Sequence, residues 1–353
     1  MSITRRKFIK DGSVLAGTVA VASSFPMDLL ANPGEWTIAT SMRSNTNPYH
    51  AAYANGGINF AKSIGAKHQI LITEGNSEKG ISDVRALLAR TEGKLCLNID
   101  PNDSPDARVI VEDCAKAGAY VVTQWNKPND LHPWDYGPNY VAHMSFSGIP
   151  TGKRIAQELI NAMGGKGGIV GLGGILSNVP AIERRKGLDM AVADSPNVEL
   201  LDYQAADWNE TKAFEITQAW LTRFGRDNIG GIFGANDGMA IGALEALRQE
   251  GLAGKIPVVG IDGIGAAVTA IEAGEMVGTV AWDPNWTGGM GGSIAYHTAI
   301  GEIDIVNEPH SHREFYGTAF IVTPATAHAY KNQDSSLDYK DFWGKATGQI
   351  QYG

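Results

Sequence analysis

Cysteine is scarce. Two in 353 residues leave no room for a multiple-disulfide framework, and nothing in their spacing looks like a zinc or iron–sulfur ligand set. Cys96 lies in the apolar run Leu95-Cys96-Leu97 and Cys114 on a helical pattern of the same strand–helix unit. They either bridge in an oxidising compartment or remain small buried hydrophobes. No apolar run reaches the roughly 20 residues that span a bilayer. Positive charge is in deficit, with 29 Lys+Arg against 38 Asp+Glu, which argues against nucleic acid or anionic lipid as partner. No serine, histidine and acid stand at a recognisable triad spacing. The string Gly164-Gly165-Lys166-Gly167-Gly168 lacks the spacing and the Ser/Thr of a phosphate loop. Gly171-Leu172-Gly173-Gly174 lacks the third glycine of a dinucleotide fingerprint, whose place Leu176 takes. His310-Ser311-His312 with Glu314 reads as a solvated loop rather than a metal site. We expect no catalytic residue, metal or cofactor.

What is present begins with Thr4-Arg5-Arg6-Lys7-Phe8-Ile9-Lys10, a twin-arginine export motif, followed by a weakly apolar stretch over 14–21. A charged start and a short apolar run read as a targeting segment, here residues 1–31. Cleavage after Ala31 leaves Leu29 at the −3 position; cleavage after Ala22 leaves Phe25 and Leu30 exposed. No cysteine lies nearby, so no lipid anchor is expected, and the reading is a soluble periplasmic protein. Without residues 1–31 the chain loses four basic and two acidic groups and is more acidic still.

From Trp36 onward, apolar runs alternate with helix-length periodic stretches. Strands are expected at 37–42, 69–73, 94–99, 120–123, 140–145, 168–172, 199–203, 230–234, 257–261, 277–281 and 314–322. Between them, Ala240, Ala243, Leu244 and Leu247 show the i, i+3, i+4, i+7 spacing of one buried helical face. Strict alternation implies parallel sheets with helices on both faces. Eleven strands exceed one such sheet, so the fold class is α/β with two doubly wound parallel-sheet lobes. Many of the 43 glycines fall at strand and helix ends, as tight turns require.

Two strings carry the functional reading: Gly234-Ala235-Asn236-Asp237-Gly238-Met239-Ala240, and Ile256-Pro257-Val258-Val259-Gly260-Ile261-Asp262-Gly263. Each places a polar group, Asn236 or Asp262, just after a short apolar run, where open α/β sheets bind ligands. The pair resembles a signature of the type I periplasmic sugar-binding proteins, the ribose- and galactose-binding family of ABC importers. That resemblance implies a three-crossing hinge, with lobe 1 at 35–144 plus 283–316 and lobe 2 at 145–282 plus 317–353. It also places a ligand site between the lobes. Arg43-Ser44-Asn45-Thr46-Asn47-Pro48-Tyr49-His50 is similar to the family's Asn-Pro-aromatic-aromatic element. Asn47 would bond hydroxyls and Tyr49 pack on a sugar ring. Arg43 and His50 depart from the pattern and make the pocket more basic. Trp125 and Asn126 stand where sugar binders often carry an Asp-Arg pair. Ala181-Ile182-Glu183-Arg184-Arg185-Lys186-Gly187 matches an arginine-containing helix start. Arg184 shares a stripe with Leu188, Ala191 and Val192, while Arg185 and Lys186 fall off it. Trp208 follows the seventh strand, and Trp282 the tenth, where a glutamine is frequent. Asp237 is expected to cap a helix.

Bland readings stand beside these: a turn starter at Asn47, a core tryptophan at Trp125, a structural ion pair at Arg184, a helix cap at Asp262. The segment 127–140, with Pro128, His132, Pro133, Trp134 and Pro138, is a candidate lid; Trp134 and Trp286 are weaker candidates for the site. The C-terminal stretch after residue 323 is read as a short helix at 325–331 and a wrap over lobe 2. The implied function is capture of a small neutral monosaccharide or alditol by an ionised Asp262, Asn236 and aromatic faces. A monomer would then dock on an ABC permease. Rivals are a sugar-acid binder, a chemoreceptor-linked sensor and a twin-arginine-exported oxidoreductase.

Overall fold

The computed structural model describes residues 35–331 and 336–352, so the Arg5-Arg6 segment lies outside the described residues. By its contacts the chain divides into Met1–Ala31 and Asn32–Gly353. All that follows concerns the second unit.

Five strands come first: β1 (Thr37–Met42), β2 (Lys67–Ile72), β3 (Leu95–Ile99), β4 (Tyr120–Gln124) and β5 (Tyr140–Ser145). They pair in parallel in the order β2-β1-β3-β4-β5, linked by α1 (Pro48–Ser63), α2 (Ser77–Thr91) and α3 (Asp106–Ala117). Helices cover both faces, so a strand such as β3 is buried at every position and is apolar throughout except at Asn98. The chain then enters a second sheet through α4 (Gly148–Ala162). There β6 (Gly167–Gly173), β7 (Val198–Ala205), β8 (Ile229–Gly234), β9 (Val258–Asp262) and β10 (Gly278–Ala281) alternate with α5 (Val179–Ala193), α6 (Glu210–Phe224), α7 (Asp237–Gln249) and α8 (Gly265–Glu272). The spatial order is β7-β6-β8-β9-β10. In both sheets the strand order reverses beside the first strand, which leaves a crevice at the carboxyl ends.

Helix α9 (Pro284–Ala299) returns to the first sheet and lies against α1. The two backbones touch: a Cβ on Gly288 would fall 1.8 Å from the Tyr53 carbonyl oxygen. A short α10 (His310–Arg313) leads into β11 (Glu314–Gly317), which pairs in parallel with β5. Then β12 (Phe320–Val322) joins the second sheet antiparallel to β10, followed by α11 (Ala327–Lys331). The stretch expected as one strand over 314–322 is therefore two strands in different sheets, because the chain changes lobe at Thr318 and Ala319.

The end of the chain corrects a second expectation. β13 (Ala346–Gln349) pairs antiparallel with β11, in the first sheet. Leu337, Tyr339, Phe342 and Trp343 pack on the core under that sheet. The C-terminal stretch thus covers lobe 1 rather than lobe 2, and adds a fourth passage between the sheets. Cys96 and Cys114 are free and buried; they belong to the two cores on opposite faces of the first sheet.

Candidate functional site

Arg43 follows the last residue of β1. Four residues on, Asn47 caps α1: its Oδ1 accepts the Tyr49 amide at 2.9 Å, with Pro48 opening the helix. That cap sets Tyr49 and His50 in the first turn, at the cleft. Asp100, immediately after β3, is fully buried. Its Oδ2 lies 3.2 Å from Arg43 Nη2 and 3.3 Å from His50 Nε2, and its Oδ1 accepts from Asn126 Nδ2 at 2.9 Å. Trp125 leaves β4 in the left-handed region, φ 53°, a conformation that costs about 1–3 kcal/mol in a non-glycine residue. The turn sets its indole edge-on to Tyr49 and Tyr53, each at 5.5 Å.

The facing wall comes from the second sheet. Arg184 sits buried on the inner stripe of α5. Its Nη1 donates to the Ala235 carbonyl at 2.7 Å and lies 3.7 Å from Asp262 Oδ1, too far for a hydrogen bond. The guanidinium faces Trp208 at 5.5 Å and Trp282 at 5.2 Å. Trp208 also has a left-handed backbone, φ 61°, and its ring crosses Gly174, where a Cβ would meet the indole at 2.0 Å. Its Nε1 donates to Asn178 Oδ1 at 2.9 Å. Asn236 caps α7 by accepting the Met239 amide at 2.9 Å, and its NH2 group is turned to the Asp262 carboxyl. Trp282 stacks on Phe146 at 3.9 Å.

These two walls enclose a cavity of about 410 Å³, counting its open side. Its lining holds all eleven residues expected from sequence: Arg43, Asn47, Tyr49, His50, Trp125, Asn126, Arg184, Trp208, Asn236, Asp262 and Trp282. Asp100 and Pro180 line it too and were missed. Asp100 follows the apolar run of β3 just as Asp262 ends that of β9, so the same signal was there to be read. Several polar atoms of the lining, among them Arg184 Nε, Trp282 Nε1, the Tyr49 hydroxyl and His50 Nδ1, are buried without a hydrogen-bond partner.

Three expectations change. Asp262 is not simply an ionised acceptor: burial pushes its carboxyl up to about 8, against the pull of Arg184. Asp237 does not cap α7, since Asn236 does. Its carboxylate accepts the Ile264 amide at 2.9 Å and the Thr279 hydroxyl at 2.7 Å, and burial raises it to about 6. The segment 127–140 is not a lid. Arg313 Nη2 donates to the carbonyls of Pro133, Gly137 and Tyr140, and buried Lys127 lies 3.0 Å from Glu314. Trp134 stacks between His132 and His310, and Trp286 lies in the core under the first sheet; neither lines the cavity.

The geometry can be set against known proteins. The periplasmic binding protein domain matches residues 38–303. The chain belongs to the periplasmic binding protein family. This binding protein is 52% identical to a twin-arginine translocation pathway signal protein from Burkholderia phytofirmans, whose structure superposes with a TM-score of 0.87 over 90% of this chain and 99% of that one. It is 29% identical to the ribose import binding protein of Salmonella typhimurium, over 83% of this chain and 94% of that one. It is 34% identical to the xylitol-binding protein of Mycolicibacterium smegmatis, a match that spans only 40% of each chain. The resemblance drawn from Asn236 and Asp262 agrees with the family. The two parallel-sheet lobes are the type I periplasmic-binding-protein fold.

Proposed function

We propose that this chain is the exported solute-binding component of an ABC importer, closing its lobes on a neutral monosaccharide or alditol. The observation that carries the reading is the charge pattern of the cavity. Arg43 and His50 both face the buried Asp100, and Arg184 faces Asp262. Arg43 already has an ion-pair partner in Asp100, while Arg184, 3.7 Å from a carboxyl that burial pushes up to about 8, keeps its buried Nε to donate to a ligand hydroxyl. Aromatic faces at Tyr49, Trp125, Trp208 and Trp282 suit the C–H face of a sugar or polyol, and amide and carboxyl groups suit its hydroxyl edge. Xylitol and ribose, named for two relatives, are neutral compounds of this kind.

The protein acts by binding, not by catalysis, and works as a monomer whose closed form docks on an inner-membrane permease. A ligand that bridges both walls shifts the lobe equilibrium toward closure. Export follows the twin-arginine route, in keeping with the Arg5-Arg6 motif. The test is a thermal-shift panel of pentoses, hexoses, alditols and sugar acids. The true ligand at 100 times its dissociation constant adds about 2.7 kcal/mol of stability. Stabilisation by sugar acids alone would reverse the ligand assignment.

A further inference from the structure

Asn178 does not line the cavity, yet it is fully buried and joins both of its walls. It stands just before α5, in lobe 2. Its Oδ1 accepts from Arg43 Nη1 of lobe 1 at 2.6 Å and from Trp208 Nε1 of lobe 2 at 2.9 Å. Its Nδ2 donates to the Asn102 carbonyl, in lobe 1, at 3.2 Å. An amide oxygen has two lone pairs, and both are used here. Two neighbouring bonds run the same way: Val179 N donates to Asn126 Oδ1 at 3.2 Å, and Ser104 Oγ to the Ser177 carbonyl at 3.1 Å. The strip Ser177-Asn178-Val179 is thus stitched to the loops after β3 and β4 by protein groups alone.

We propose that Asn178 is the positioning residue of lobe closure, a latch that couples the two walls. When the lobes separate, Asn178 must lose Arg43 and Asn102 while it keeps Trp208. Arg43 keeps Asp100 but loses the bond that points its second nitrogen across the cleft. Closure therefore aligns Arg43 and Trp208, two cavity residues, through one amide that never meets the ligand. The latch acts after encounter, so it slows escape of a bound molecule more than it speeds entry. It rests on the proposed ligand reading only for its kinetic consequence; the contacts between the lobes are made by the chain's own groups.

The first test needs no ligand. Ser104→Cys with Ser177→Cys places two thiols across the rim, and mild oxidation reports how often the lobes meet. We expect the added Asn178→Ala change to slow cross-linking about fivefold or more, the scale of one or two lost hydrogen bonds. An unchanged rate overturns the latch. The second test uses xylitol or D-ribose, whichever the wild type binds, in stopped-flow tryptophan fluorescence. Asn178→Ala should raise the dissociation rate about tenfold, with association changed less than about twofold. Ser104→Ala, a change at a half-buried position outside the core, should raise it by a smaller factor in the same direction. Equal effects on both rates, or none, overturn the proposal. If neither compound binds the wild type, the ligand assignment fails while the cross-linking result still decides the latch.

Discussion

A carboxyl that holds its proton until about pH 8 is a different partner from an exposed aspartate, and Asp262 is such a group. Its residue type and its place after an apolar run were plain in the sequence. Its protonation was not, because burial and the 3.7 Å gap to Arg184 are properties of the packed cleft. The sign of the pH effect follows. An unfolded aspartate titrates at about 3.9, so between about pH 4 and pH 8 Asp262 holds a proton in the folded protein that it lacks in the unfolded chain. Its contribution to stability falls as pH rises through that window, while His68, His143 and His297, lowered by burial, act with the opposite sign below about pH 6.5. The loss of stability between about pH 6.5 and pH 8 should therefore shrink in Asp262→Asn, which denaturant melts at those two pH values would show. Hydroxyls donated by a polyol favour the carboxylate, so binding should release a proton and tighten from pH 6 to pH 8. Calorimetry in buffers of different ionisation heat reads the proton directly; proton uptake would contradict hydroxyl donation to Asp262. At the same scale, Asp262→Ala and Arg184→Ala should each weaken binding at least about tenfold, or about 1.4 kcal/mol, since each leaves a buried partner alone. For a sugar acid, Asp262→Asn would instead leave affinity unchanged or improve it.

Among the elements, those with buried apolar runs were legible and those without were not. Central strands such as β9, Val258-Val259-Gly260-Ile261-Asp262, announced themselves by short buried apolar runs. β13 did not, because Ala346-Thr347-Gly348-Gln349 is a largely exposed edge strand with no buried face to leave a pattern. The run over 314–322 looked like one strand because nothing in its composition marks the change of sheet. Helix packing was equally silent, and it places the site. Helices α4 and α5 cross with their backbones in contact. A Cβ on Gly152 would lie 2.6 Å from the Arg184 carbonyl oxygen, and one on Gly187 would lie 2.4 Å from that of Ile149. Arg184 sits at this crossing, so the glycines fix how far its guanidinium reaches. Gly152→Ala should therefore cost about 1–3 kcal/mol of stability by overpacking. It should also weaken ligand binding, because α5 must shift. Gly265→Ala meets open space and should stay within about 0.5 kcal/mol of wild type. Denaturant titration and calorimetry on both variants separate the two cases; a Gly152→Ala protein of normal stability and affinity would show that α5 can yield.

In the whole molecule, the ligand-binding machinery and the proposed address occupy separate parts of the chain. Both sheets, the three hydrophobic cores of the described residues and the cleft lie within Asn32–Gly353, while Arg5 and Arg6 lie within Met1–Ala31. The relative from Burkholderia phytofirmans carries a twin-arginine description, and this chain has the matching Thr4-Arg5-Arg6-Lys7-Phe8 string. An address read by a translocase should be separable from fold and affinity. Replacing Arg5 and Arg6 together by lysine keeps both charges and removes only the guanidinium groups. We expect precursor to collect in the cytoplasm at unchanged total expression. That retained protein, purified from the cytoplasm, should bind the same ligand with wild-type affinity and show the same ligand-induced loss of radius of gyration. Fractionation with an immunoblot reads the first outcome, and calorimetry with small-angle scattering the second. Normal periplasmic yield from the double substitution would remove the twin-arginine route. Retained protein that no longer binds would instead tie residues 1–31 to the maturation of the cleft.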